Sequence, residues 1–145
     1  MSASQGREFV DANVLVYAFD SSAGRKREIA AQLLERLWDS ESGRLSVQVL
    51  QEFFVTITRK VANPLPTATA EDRVRELTAW PVFAPTADDV LLAIAVARKT
   101  KVSFWDAMIL HAAAESGCDV CWTEDLNAGQ RWRDVQIRDP FALTP

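Results

Sequence analysis

Four of the 20 acidic residues in this 145-residue chain stand in surroundings where an acid is expensive. Asp11 interrupts the apolar run of residues 9–20, FVDANVLVYAFD. Glu52 immediately precedes Phe53-Phe54, Asp106 lies between Trp105 and Met108, and Asp125 follows the run Val120-Cys121-Trp122 by a short polar step. An ionised carboxylate among apolar groups is costly unless something compensates it. Four carboxylates brought together repel as well, by roughly 3 kcal/mol per pair at about 5 Å and an effective dielectric near 20. A hard divalent cation resolves both problems, because it takes oxygen ligands and keeps several waters. Mg²⁺ or Mn²⁺ held this way polarises a phosphoryl oxygen and generates hydroxide near neutral pH.

Each acid also has an ordinary structural role open to it. Asp11 has the form of a helix N-cap. Ser103-x-x-Asp106 has capping-box spacing, and Thr123-x-Asp125 suits a turn. Glu52 has Arg59 and Lys60 two turns on and reads equally as a solvated helix acid. The case for a shared site rests on where the elements place all four.

Those elements alternate along the chain. Asp11 ends a first strand, and Asn13 sits in the turn beside it. Residues 25–39 form an amphipathic helix with Ile29, Leu33, Leu34, Leu37 and Trp38 on one face. Arg44–Val47 is a second strand, followed by a helix to about Lys60 striped with Leu50, Phe53, Phe54 and Ile57. Asn63-Pro64-Leu65-Pro66 breaks the chain. A helix over 67–80 follows, with Thr69 and Asp72 at capping-box spacing. Residues 81–85 give a third strand. Thr86-x-x-Asp89 opens a helix expected to turn Val90, Leu91, Ile94 and Ala97 inward. A helix over 104–116 ends at Gly117. Asp119–Thr123 is a fourth strand and Val135–Arg138 a short fifth. The alternation predicts one α/β domain over residues 1–145, after a loose lead-in over 1–7. Its sheet is mostly parallel, with four or five strands and helices on both faces. In such a sheet all four acids fall at the edge where ligands bind.

Composition narrows the function classes. No apolar run reaches the roughly 20 residues of a membrane span. The opening residues are polar and lack the apolar centre of a signal peptide, which predicts a cytoplasmic protein. The net charge of −4 argues against a sequence-blind basic groove for nucleic acid. A local basic rim is compatible, and Arg59-Lys60 and Arg131-x-Arg133 are the candidates for gripping phosphates near the acids. Cys118 and Cys121 form a C-x-x-C without a second pair, inside an apolar run that reads as a buried strand. The single histidine, His111, lies five residues after Asp106 and so on another side of that helix, where a structural or surface role is expected. No phosphate-binding glycine loop and no G-x-S-x-G elbow are present.

The sequence resembles the PIN-domain family, and within it the VapC-type toxins of bacterial toxin–antitoxin pairs. The likeness covers nearly the whole chain. It is carried by VDANVLVYAFD, SVQVLQEFFVTITRK and SFWDAMILHAAAESGCDVCWTEDL, in that order and spacing. The resemblance maps the family's four acids onto Asp11, Glu52, Asp106 and Asp125, and its small polar helpers onto Asn13 and Thr123. It implies a Mg²⁺- or Mn²⁺-dependent endoribonuclease that hydrolyses RNA phosphodiesters, is usually a homodimer, and is held inactive by a cognate antitoxin inserted near the acids. The apolar faces of the helices at 25–39 and 47–60 are the expected dimer surfaces, with a separate groove for the antitoxin. Two rival classes remain at this stage. A receiver-type phosphotransfer protein would need an acid ending the third strand, where Phe83-Ala84-Pro85 stands. A metal-stabilised module that binds RNA or a partner without cutting is separated only by a cleavage assay.

Overall fold

The structure is a computed structural model that describes residues 6–126 and 129–142. In chain order it contains β1 (Arg7–Val10), α1 (Ala12–Phe19), α2 (Arg25–Ser40), β2 (Gly43–Ser46), α3 (Val47–Arg59), α4 (Thr67–Leu77), β3 (Val82–Phe83), α5 (Ala87–Lys99), α6 (Phe104–Glu115), β4 (Cys118–Trp122), β5 (Arg131–Trp132) and β6 (Val135–Arg138). The strands form one sheet in the order β3-β2-β1-β4-β6-β5, parallel except for β5, which runs against β6. β1 is central and has Phe9 and Val10 both fully buried, as a strand covered on both faces requires. α1 packs on α2 and α3, and α3 on α4. α5 packs on α6, which crosses β2, β4 and β6.

Winding runs outward from β1 through β2 to β3, then returns to the other side of β1 as β4. The switch of direction therefore falls between β1 and β4, and open α/β sheets bind ligands at the strand ends beside such a switch. The chain goes straight from β1 into α1 and from β2 into α3, so both helices start at this edge. α6 precedes β4 and runs back across the sheet, so it starts there too.

Two glycines answer local demands. A Cβ on Gly43 would stand 2.5 Å from the Trp80 ring, so that ring packs directly on the backbone of β2. Gly117, at φ 71, turns the chain out of α6 into β4.

Several expectations are corrected. Arg7 and Glu8 belong to β1 rather than to a lead-in, while residues 1–5 lie outside those described. The sheet has six strands, because Arg131–Trp132 adds a two-residue hairpin partner too short to show a period. α4 begins at Thr67 after Pro66 with no side-chain cap, and Asp72 pairs with Arg75 instead of capping with Thr69. On α5 the buried residue is Ala93, half-buried Val90 and Val96 pack around it, and Leu91 and Ile94 face outward. The small residues Ala93 and Ala107 let α5 approach α6 closely, and this contact sets the helix's phase. Among the described residues no helix is long and apolar enough to cross a membrane.

Candidate active site

Asp11 leaves β1 in extended conformation, at φ −76 and ψ 159, and caps α1. Its Oδ1 accepts from the Ala12 N–H at 2.7 Å, and its Oδ2 accepts from the Thr123 hydroxyl at 2.9 Å. The cap role and the site role are thus filled by one carboxylate. Thr123 is fully buried just past β4, and its hydroxyl oxygen accepts from the Asp125 N–H at 3.1 Å. Asn13, in the first turn of α1, joins the two strand ends. Its Nδ2 faces Asp125 Oδ2 at 3.0 Å, Thr123 Oγ1 at 3.3 Å and Asp11 Oδ2 at 3.4 Å, while its Oδ1 accepts from the Glu124 N–H at 3.1 Å.

Glu52 lies on the exposed side of α3 and accepts from the Gln48 amide at 3.3 Å. Asp106 is half-buried in the first turn of α6. The Ser103 hydroxyl accepts from the Asp106 N–H at 3.1 Å, but α6 shows no return bond from the Asp106 carboxylate to the cap. α5 shows the contrast: its box is closed in both directions, with Asp89 accepting from the Thr86 N–H at 2.7 Å. The Asp106 carboxylate instead lines a cleft of about 670 Å³ together with Asp11, Glu52 and Asp125. Four acids from four separate segments therefore meet at the predicted edge.

None of the four pairs with a Lys, Arg or His among the described residues, although seven other acids do. Burial pushes the Asp11 carboxyl up to about 6, and the nearby Glu52 and Asp125 carboxylates add to the rise against the hydrogen bonds from Thr123 and Ala12. An all-oxygen, uncompensated donor set of this kind fits a hard divalent cation. The only three His or carboxylate groups among the described residues whose ligand atoms all lie within 4.8 Å are elsewhere, at Asp89, His111 and Glu115. No three of the four cleft acids bring their carboxylate oxygens all within 4.8 Å of one another.

The structure also places what the sequence suggested less clearly. Lys60 lines the cleft, whereas Arg59, Arg131 and Arg133 are not among its walls. Arg133 faces Glu115 at 3.7 Å, at the far end of α6 from Asp106. His111 is buried and bonded to Asp89 Oδ1 at 2.7 Å, tying α6 to the start of α5. Cys118 and Cys121 are buried free thiols on β4, and burial raises both pKa values. Three residues of the site's support escaped sequence reasoning. The Tyr17 hydroxyl donates to Glu124 at 2.7 Å, and Lys26 forms an ion pair with the same carboxylate while lying over the Tyr17 and Phe141 rings. This clamp holds the residue between Thr123 and Asp125. The available signals were the position of Glu124 beside Asp125 and the basic run at 25–27.

The family model of the PIN domain matches residues 9–131. The chain belongs to the PIN-domain family. Among solved structures, this PIN domain is similar to VapC20 of Mycobacterium tuberculosis, a sarcin–ricin-loop-cleaving toxin, at 20% identity over 81% of this chain and 89% of that one, with a TM-score of 0.61. It is similar to a toxin–antitoxin complex from Klebsiella pneumoniae at 21% identity, over 88% and 94% of the two chains, with a TM-score of 0.64. VapBC2 of Rickettsia felis, bound to a DNA fragment from its promoter, matches at 14% identity over 91% and 97%, with a TM-score of 0.63. Among curated proteins no sequence matches. The receiver-type alternative is set aside: β3 is a two-residue edge strand ending in Phe83, two positions from β1 in the sheet.

Proposed function

We propose that this PIN domain is a divalent-metal-dependent endoribonuclease and the toxin of a toxin–antitoxin pair. The observation that carries the reading is the convergence of Asp11, Glu52, Asp106 and Asp125 on one cleft with no cationic side chain on any of them among the described residues. Asp11 and Asp106 would hold a Mg²⁺ or Mn²⁺ ion directly, with Asp125 and Glu52 completing its shell through water or at a second ion. When bound, such an ion supplies a Lewis acid and an activated water for phosphodiester hydrolysis. The chain's own part is placement. Ala12 and Thr123 fix both Asp11 oxygens, Asn13 locks the Asp125 loop to the start of α1, and Gln48 steadies Glu52. Lys60 offers a cation to a backbone phosphate further along the cleft.

The partners follow from the same reading. An apolar groove of about 440 Å³ between α2 and α4, lined by Phe19, Leu34, Trp38, Leu77 and Trp80 and rimmed by Glu35, Asp39 and Glu76, suits an amphipathic antitoxin helix with basic flanks. The exposed residues Leu91, Leu92 and Ile94 make α5 the better surface for a homodimer than the buried faces of α2 and α3. The protein would act in the cytoplasm, where RNA and antitoxin are found.

The test is cleavage of RNA by the purified protein with Mn²⁺ or Mg²⁺, against an EDTA control. Asp11→Asn is expected to lose at least about 10²-fold in rate, the scale for removing a key electrostatic group. Undiminished cutting by that variant in metal-replete buffer rejects the assignment.

A further inference from the structure

Trp105 is out of place for its type. The residue is 63% exposed, although tryptophan is on average well buried. Its neighbour Phe104 turns inward and joins the Ala93–Ala107–Met108 cluster. Successive helix residues point about 100° apart, so Trp105 is carried out of that cluster and into the wall of the acid-lined cleft, beside Asp106. Two contacts hold it there. The Phe104 ring meets the indole edge-on at 5.0 Å, and the Trp105 carbonyl accepts from the Gln48 amide at 3.4 Å. The same amide donates to Glu52, so one side chain links the indole's backbone to a carboxylate of the site.

We propose that Trp105 is a stacking platform for an unpaired nucleobase next to the scissile phosphate; this rests on the ribonuclease reading above. Single-stranded nucleic acids are gripped by aromatic faces for their bases and by cations for their backbone. The cleft has both in a line. Gln48, Glu52, Thr56 and Lys60 follow one stripe of α3 along it, which places Lys60 about 18 Å from the Trp105 end. Asp106 follows Trp105 directly in α6, Glu52 lies between Gln48 and Lys60 on that stripe, and Asp11 and Asp125 line the same cleft. A strand would thus lay one base on Trp105, its adjoining phosphate over the acids, and a later phosphate at Lys60. The ligand class is single-stranded RNA, or a loop whose bases are splayed out, rather than a paired helix.

The experiment compares wild type with Trp105→Phe and Trp105→Ala on a labelled pool of short single-stranded RNAs of random sequence. KM, kcat, the Mn²⁺ needed for half-maximal cutting and the mass by light scattering are all followed. Removing a base stack is expected to raise KM about ten- to a hundred-fold for Trp105→Ala. Its kcat, Mn²⁺ midpoint and mass should stay those of wild type, and Trp105→Phe should keep most of the wild-type KM. A wild-type KM for Trp105→Ala, or an equal loss for Trp105→Phe, overturns the platform and leaves the ribonuclease reading standing. A fall in mass for Trp105→Ala assigns the ring to a contact between copies and overturns the platform as well. Wild-type protein that does not cut RNA with any added metal overturns both readings together.

Discussion

At the scale of the residue, Asp11 is the site acid that the fold buries. Its carboxyl is buried, and its pKa is raised from 3.8 to about 6. The folded protein therefore keeps a proton that the unfolded chain gives up near pH 4. Without metal, stability is fully present below about pH 4 and falls as pH rises through 6. The difference of about two pH units corresponds to roughly 3 kcal/mol at neutral pH. Asp11→Asn should remove that slope. In EDTA at pH 7 the variant is expected to melt higher than wild type, and the two curves should converge near pH 4. A lower melting temperature for Asp11→Asn at pH 7 in EDTA would show that the carboxylate stabilises the metal-free fold, contrary to its burial. Asp11 itself was legible in the sequence, because it interrupts an apolar run and is buried in the fold. The bonds of Asn13 were less so, since its partners Thr123 and Asp125 lie 110 and 112 residues away.

At the scale of the element, the loop after β4 is pinned by side chains of α1 and α2. Lys26 from α2 and Tyr17 from α1 hold Glu124 and keep its carboxyl below the usual range, against the upward pull of burial. Lys26→Met would retain the packing over Tyr17 and Phe141 and remove the charge. It is expected to raise the Mn²⁺ needed for half-maximal cleavage by roughly 10-fold, the usual scale for a partner that orients a metal ligand. The rate at saturating Mn²⁺ should change less. An unmoved Mn²⁺ midpoint would mean that the loop holds its place without the clamp. Element positions were largely readable from period and punctuation: Ser46, Thr86 and Ser103 all cap the helices that follow them. The phase of α5 was not. Val90-Leu91-Leu92-Ala93-Ile94 offers two apolar stripes, and only the close approach to Ala107 selects the one through Ala93.

At the scale of the whole molecule, the stripe that α5 leaves outside is the feature a single copy does not explain. Leu91, Leu92 and Ile94 are 63%, 49% and 41% exposed. Several exposed apolar side chains on one helix commonly mark an interface. Light scattering at tens of micromolar is expected to give a dimer for wild type and a monomer for Leu91→Glu combined with Ile94→Glu. A dimer that survives both charges would move the contact to another face, with Trp38 on α2 and Trp105 on α6 the exposed tryptophans. The sequence had pointed to α2 and α3, since their apolar stripes are wide. In the fold Leu33 and Leu37 of α2 and Phe53 and Ile57 of α3 are buried in the core, while Trp38 on α2 and Val47 and Val55 on α3 stay exposed.

The sheet joins the two ends of the chain: β1 pairs with β4 from Arg7↔Cys118 to Val10↔Trp122, and Asn13 reaches Asp125 across 112 residues. On the ribosome, the N-terminal half of the acidic cleft emerges long before the C-terminal half exists. At about 5–20 residues per second, roughly 6 to 22 s separate the synthesis of Asn13 from that of Asp125. Through that interval Phe9 and Val10 have no β4 to pair with, and Asp11 has no Thr123. The cleft is therefore complete only after Asp106, Thr123 and Asp125 have all been made, so its assembly is among the last steps in forming this fold.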